Sequence, residues 1–311
     1  MTLTRDNFIG PWAGLPVAWT DDDRLDEATY RRDVAACCEA GVPGVYTGGS
    51  TGEFYAMSVE EFQAVARATV EVCHERGVPA MIGCTDTCNK GAMTKAAFAA
   101  GIGADSLQVA LPFWMPMPER QIVPFFRDVA SAAPGLALSI YETTRAKVTL
   151  TVEQHLAVRE AVPQYLMVKA NANTVGLTED GCRRQSEHVN VFVGEHLFAE
   201  FFRYGARGGC SSVVYWSPQF MLGLWDDVRH ERWAQAEAAC AKLAALFTFL
   251  GQTWEPRGFV DTSFDRLGGV AGGFLQTSLR CRAPYPSPTE ADVELWRAWC
   301  REHLREMLRD G

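Results

Sequence analysis

The chain has 311 residues, 48% of them hydrophobic, and a formal net charge of −9. Such a length fills one large α/β domain, or a barrel with a small appendage, more readily than two equal domains. The acidic balance excludes a surface built for nucleic acid or an anionic membrane, since both need a basic footprint.

No apolar run reaches the roughly 18 residues of a membrane span. The start MTLTRDNFIGPW lacks the basic segment and apolar stretch of a secretory signal. Ten scattered cysteines read as reduced core thiols rather than a disulfide framework. Cytoplasmic residence is therefore expected.

Taken in chain order, short apolar runs alternate with helical patterns. The runs fall at 12–19, 44–47, 78–82, 106–110, 136–141, 165–169, 190–193 and 209–214. Each is largely non-alternating, as parallel strands buried on both faces should be. Between them, 26–40 carries Tyr30, Val34 and Cys37 at helical spacing. Ser58–Glu61 and Thr151–Gln154 fit the capping box in which the first side chain caps the helix and the fourth reaches back. Eight strand–helix alternations in this length predict a (β/α)8 TIM barrel over 1–226, with a doubly wound sheet as the alternative. The strands then stop. A long amphipathic helix over 231–251 and another opened by Ser287-Pro-Thr-Glu290, with proline first, predict a C-terminal helical appendage over 227–311 suited to an oligomer contact.

In a barrel, chemistry sits where strands end. Lys169 ends the sixth run, one of only five lysines against 24 arginines. An amine in an apolar pocket is desolvated and its pKa falls, so it can attack the carbonyl of a 2-oxo acid, and the protonated imine then acts as an electron sink. Taken alone, Lys169 can equally be a side chain whose stem packs while its head reaches water. Tyr141 ends the fifth run, where a phenol can shuttle protons or simply bond to backbone. After the second run, Gly48-Gly-Ser-Thr-Gly-Glu53 offers backbone N–H groups and two hydroxyls in a tight turn, a cradle for a carboxylate. It lacks the Gly-Lys-Ser/Thr of a P-loop and the glycine spacing of a dinucleotide fingerprint.

Together these features resemble the dihydrodipicolinate synthase/N-acetylneuraminate lyase family. Gly49-Ser-Thr-Gly-Glu53 is similar to its G-[ST]-T-G-E motif, and Tyr141 and Lys169 to its tyrosine and Schiff-base lysine. Gly205-Ala-Arg-Gly-Gly-Cys-Ser211 is similar to its eighth-strand stretch, and Arg282-Ala-Pro-Tyr-Pro286 to its R-x-P-x-x-P segment. The resemblance implies a lyase acting on pyruvate or another small 2-oxo acid, by aldol cleavage or condensation or by dehydration. It implies a tetramer or dimer and neither metal nor organic cofactor. Lys169, Tyr141 and Ser50 would be catalytic, and Gly49, Thr51, Gly52, Arg145, Ser211 and His196 would hold substrate.

Three departures stand out. Pro112-Phe-Trp-Met115 replaces a tyrosine pair that reaches a neighbouring subunit in the family's synthases. Tyr141-Glu-Thr-Thr-Arg145 lacks the family's Asn and Pro. Gly194-Glu-His196 stands in place of a G-x-D-like segment. They point away from lysine biosynthesis and towards a catabolic aldolase or dehydratase. A lysine-biosynthetic synthase and a non-catalytic 2-oxo acid binding protein are the alternatives. Phe113, Trp114 and Trp216 are candidates for pocket walls, and Cys84/Cys88 has only loose metal spacing.

Overall fold

The computed structural model describes residues 2–309. Eight parallel strands close into a barrel in chain order: β1 (Gly10–Gly14), β2 (Val45–Thr47), β3 (Ala80–Gly83), β4 (Ser106–Val109), β5 (Ala137–Tyr141), β6 (Tyr165–Lys169), β7 (Asn190–Phe192) and β8 (Gly208–Ser211). β8 pairs with β1 through Gly10↔Gly208 to Ala13↔Ser211, which closes the ring.

Helices follow the strands: α1 (Glu27–Glu39), α2 (Val59–Glu75), α3 (Asn89–Gly101), α4 (Ile122–Ser131), α5 (Val152–Ala161), α6 (Glu179–Ser186), α7 (Phe198–Phe201) and α8 (Val213–Trp216). Four more complete the chain: α9 (Pro218–Arg229), α10 (Trp233–Trp254), α11 (Asp261–Ala271) and α12 (Glu290–His303). Both expected capping boxes form, Ser58 with Glu61 and Thr151 with Gln154. Among the described residues no helix is long and apolar enough to cross a membrane.

Two apolar layers result. The larger lies between strands and helices. The smaller fills the barrel with Trp12, Tyr46, Met81, Met167 and Phe192, one each from five strands, against Phe8. Such interior layers are what make this fold a packed core rather than a pore. Gly14 is required here, because a Cβ on it would lie 2.1 Å from the Tyr46 ring.

Several boundaries differ from the sequence expectation; the long C-terminal helix runs Trp233–Trp254 rather than 231–251, and the third strand Ala80–Gly83 rather than 78–82. The first strand occupies Gly10–Gly14, and Leu15, Val17 and Trp19 are buried in the following loop instead. That loop is apolar because the C-terminal part covers it: Val17 and Trp19 give their carbonyls to Arg266 and Ser278. The eighth strand stops at Ser211, and Val213 and Val214 begin a helical turn. The last helix starts at Glu290 behind a Thr289–Asp292 capping box, so Pro288 precedes the cap rather than opening the helix.

Candidate active site

β5 and β6 pair in register at their ends, Tyr141↔Lys169, so both side chains enter the barrel at one level. The Lys169 Nζ lies 4.3 Å from the centre of the Tyr141 ring and 5.8 Å from that of Tyr46. Across the barrel mouth, the Ser50 hydroxyl is 3.3 Å from the Tyr141 hydroxyl. Ser50 reaches that position because the turn after β2 doubles back on itself. Gly48 adopts φ +73°, and a Cβ there would stand 2.8 Å from the Gly83 carbonyl. The Glu53 N–H closes the turn on the Ser50 carbonyl at 3.1 Å, and the Phe54 N–H reaches the Gly49 carbonyl.

The turn is gripped by α11, which the sequence reading placed in an appendage. The Thr51 hydroxyl donates to Asp265 at 2.5 Å. Glu53, the last residue of the turn, accepts from Trp19 Nε1 at 2.6 Å, from the Arg282 N–H at 2.8 Å and from the Arg266 guanidinium. Glu53 and Arg266 are both fully buried. A buried ion pair with this many extra donors is satisfied, so Glu53 anchors the turn and stays out of the chemistry.

Two chambers meet at Ser50 and Asp261. One, of about 280 Å³, holds the Lys169 amine among Thr51, Glu195, Ser212 and Asp265. The other, of about 250 Å³, begins at Tyr141 and runs outward past Phe54, Phe113 and Tyr285. Glu195 shapes the first chamber by accepting the Ser212 and Val213 N–H groups at 2.8 and 3.2 Å.

The ionisable groups are tuned by these surroundings. Burial is the largest influence on the Lys169 amine and disfavours its charged form. Tyr141, Tyr46, Cys210 and Asp261 act oppositely and hold the amine well above its ordinary value. Burial pushes the Tyr46 phenol and the Cys210 thiol above their ordinary values. The lowered pKa that an apolar pocket would give is therefore not found: the resting amine is charged and passes its proton on before it attacks. Burial raises Asp265 to about 7 despite the hydroxyls of Ser212 and Thr51, with Asp261 and Glu195 adding repulsion. Asp261 is also pressed upward by burial, but its bonds to Arg145, with help from Ser50 and Lys169, hold it at about 2.

The remaining predicted residues are placed as follows. Gly49 and Gly52 are buried within the turn. Arg145 lies at the outer chamber with both terminal nitrogens on Asp261 at 2.8 Å, so its guanidinium already holds a carboxylate. Ser211 is buried, and its hydroxyl accepts the Val214 N–H at 3.0 Å; the neighbouring Ser212 lines the chamber. His196 packs edge-on against Phe247 at 5.2 Å with its Nδ1 buried and unpaired, and burial lowers its pKa. Phe113 and Trp216 line the chambers, whereas Trp114 is 72% exposed.

Glu142, one of the sequence departures, is buried and joined to His155 Nε2 at 3.1 Å, while His155 Nδ1 meets the Tyr165 hydroxyl at 2.8 Å. Its other oxygen accepts the Leu150 N–H at 2.7 Å, fixing the segment that follows Tyr141. Sequence reasoning missed Tyr46, Glu195, Ser212, Asp261 and Asp265. The one available signal was Asp261-x3-Asp265, two carboxylates on one face of a helix.

A family model for the dihydrodipicolinate synthetase family matches residues 8–292. An N-acetylneuraminate lyase of Escherichia coli O1:K1 is 27% identical over 210 residues, covering 67% of this chain and 69% of that protein. Among solved structures, YagE, a prophage protein of the dihydrodipicolinic acid synthase family from E. coli K12 in complex with pyruvate, superposes with a TM-score of 0.86 at 21% identity, over 95% of this chain and 98% of that one. PhdJ bound to a substrate intermediate gives 0.84 at 24% identity, over 97% and 100%. At these identities the structural likeness establishes the barrel and its C-terminal helices. With the family model spanning nearly the whole length, the chain is a lyase of the dihydrodipicolinate synthetase family.

Proposed function

We propose that this lyase acts on pyruvate or another small 2-oxo acid through an imine at Lys169. The carrying observation is the half-buried Lys169, its amine 4.3 Å from the Tyr141 ring, with the Tyr141 hydroxyl bonded to Ser50. The turn at Ser50, Thr51 and Gly52 holds the carboxylate through backbone N–H groups, since the Thr51 hydroxyl is directed at Asp265. The amine adds to the 2-oxo carbon, and Tyr141, relayed through Ser50, protonates the oxygen. Loss of water gives the protonated imine. Cleavage of the C3–C4 bond then leaves an enamine and releases an aldehyde, Tyr141 taking the C4 hydroxyl proton. Protonation at C3 and hydrolysis return pyruvate and the free amine. Dehydration of a 3-deoxy-2-oxo acid uses the same imine: a C3 proton is removed to give the enamine, which then expels the C4 hydroxyl as water once that oxygen is protonated.

Residues 1–226 form the catalytic barrel in this reading, and 227–311 form the helical part, with α11 completing the site. Its cysteines, most of them buried thiols, fit a reducing cytoplasm. A homotetramer or homodimer is supported by the exposed Trp114 and Met115 beside the site, a kind of surface that marks an interface.

Coupled assays of pyruvate release from 4-hydroxy-2-oxo acids and of water loss from 3-deoxy-2-oxo sugar acids test the reading. Turnover of at least one class, abolished in Lys169→Ala, is expected. No turnover of any, or full activity in that variant, contradicts it.

A further inference from the structure

We infer that the outer chamber selects a second reactant whose tail is apolar, of aromatic size and without a carboxylate. This rests on the imine reading above and specifies what the enamine is joined to or released from. The walls are Phe54, Tyr55, Leu111, Phe113, Val260 and Tyr285. Four of these rings run edge to face around the mouth: Phe113 to Phe54 at 6.0 Å, Phe54 to Tyr55 at 5.6 Å, and Tyr55 to Tyr285 at 5.1 Å. An aromatic guest extends such a chain by the same edge-to-face geometry. The volume of about 250 Å³ is ample, since an apolar cavity of roughly 150 Å³ admits benzene.

The chamber's polar groups are few and partly committed. Thr85 Oγ1 accepts the Ala110 N–H at 3.0 Å, and Thr143 Oγ1 accepts the Arg145 N–H. Ser50 is bonded to Tyr141. Arg145, the chamber's cation, is bidentate to Asp261, and the pair leaves no net charge for an incoming carboxylate. A polyol tail would set most of its hydroxyls against Phe54, Leu111, Phe113 and Val260, with only the Tyr55 and Tyr285 phenols and the Thr85 and Thr143 hydroxyls to meet them, a desolvation cost that an aryl group avoids.

In the synthetic direction, C3 of the pyruvate enamine bonds to the aldehyde carbon and the aldehyde oxygen takes a proton. Hydrolysis of the imine then releases the 4-hydroxy-2-oxo acid and the Lys169 amine. The test supplies purified enzyme and pyruvate with benzaldehyde, succinic semialdehyde or N-acetylmannosamine, and measures product by liquid chromatography. Borohydride trapping of the pyruvate imine serves as the control.

Benzaldehyde is expected to give a kcat/KM at least about tenfold above either competitor, the scale on which a hydrophobic pocket discriminates. Phe113→Ala should lower that value by roughly tenfold. Asp261→Asn, which frees Arg145, should raise the share of succinic semialdehyde. Preference for the carboxylated or polyol aldehyde, or equal use of all three, overturns the inference. So does trapping of the pyruvate imine with no benzaldehyde turnover, and in that case the imine reading survives. If pyruvate is not trapped at all, the imine reading falls and the inference falls with it.

Discussion

The two chambers share Ser50 and Asp261 yet are built from opposite materials. Around Lys169 the lining carries Thr51, Glu195, Ser212 and Asp265; beyond Tyr141 it is a ring of aromatics with its one cation neutralised. The same contrast recurs between Asp261 and Asp265, one turn apart on α11. Both are disfavoured by burial, but Asp261 meets a guanidinium and stays ionised, whereas Asp265 meets only hydroxyls and neighbouring carboxylates and rises to about 7. Burial sets the cost of charge, and the nearest partner decides whether the charge survives. Reactive polar groups are thus gathered on the Lys169 side, and the chamber that remains can choose by shape and apolarity.

The largest expected effect breaks the contrast at its centre. Tyr141→Phe keeps the ring over Lys169 but removes the proton relay, and kcat should fall by about 10²- to 10⁴-fold. Steady-state kinetics check this, and a loss under tenfold would assign the protons elsewhere.

Next, Glu53→Gln strips the carboxylate from fully buried Arg266. Unfolding in urea should show a loss of about 3–5 kcal/mol, the usual result of leaving a buried charge unpaired.

Asp265 sharpens the contrast through pH. Its folded pKa of about 7 lies above the ordinary 3.8, so the folded state binds the proton more tightly. That contribution to stability is complete below about pH 4 and disappears as pH rises through 7, amounting to roughly 4 kcal/mol at most. Thermal melts of wild type across pH 4–7 should fall more steeply than those of Asp265→Asn, and parallel curves would remove Asp265 from the account.

The smallest effect concerns Ser211: Ser211→Ala removes the bond to the Val214 N–H, and urea unfolding should show a loss of about 1 kcal/mol.

The barrel was legible because each buried parallel strand is a short apolar run, and Lys169 and Tyr141 were legible because they end two such runs. What sequence proximity could not show is what faces those strand ends from far along the chain. Thr51 and Asp265 are 214 positions apart, and Arg145 was free to clamp substrate until Asp261 was seen to hold it. Ser211 and Ser212 differ only in where β8 ends, which an apolar run continuing to Val214 concealed. Leu15–Trp19 reads as strand because it is apolar, but its apolarity serves the contact with the C-terminal part.

The central claim is the imine. Reduction with borohydride in the presence of pyruvate, followed by peptide mass spectrometry, should place one added pyruvate-derived group on Lys169 and none on any protein carrying Lys169→Ala. Absence of an adduct from wild type, or an adduct on Lys95, Lys147 or another amine, would contradict the account.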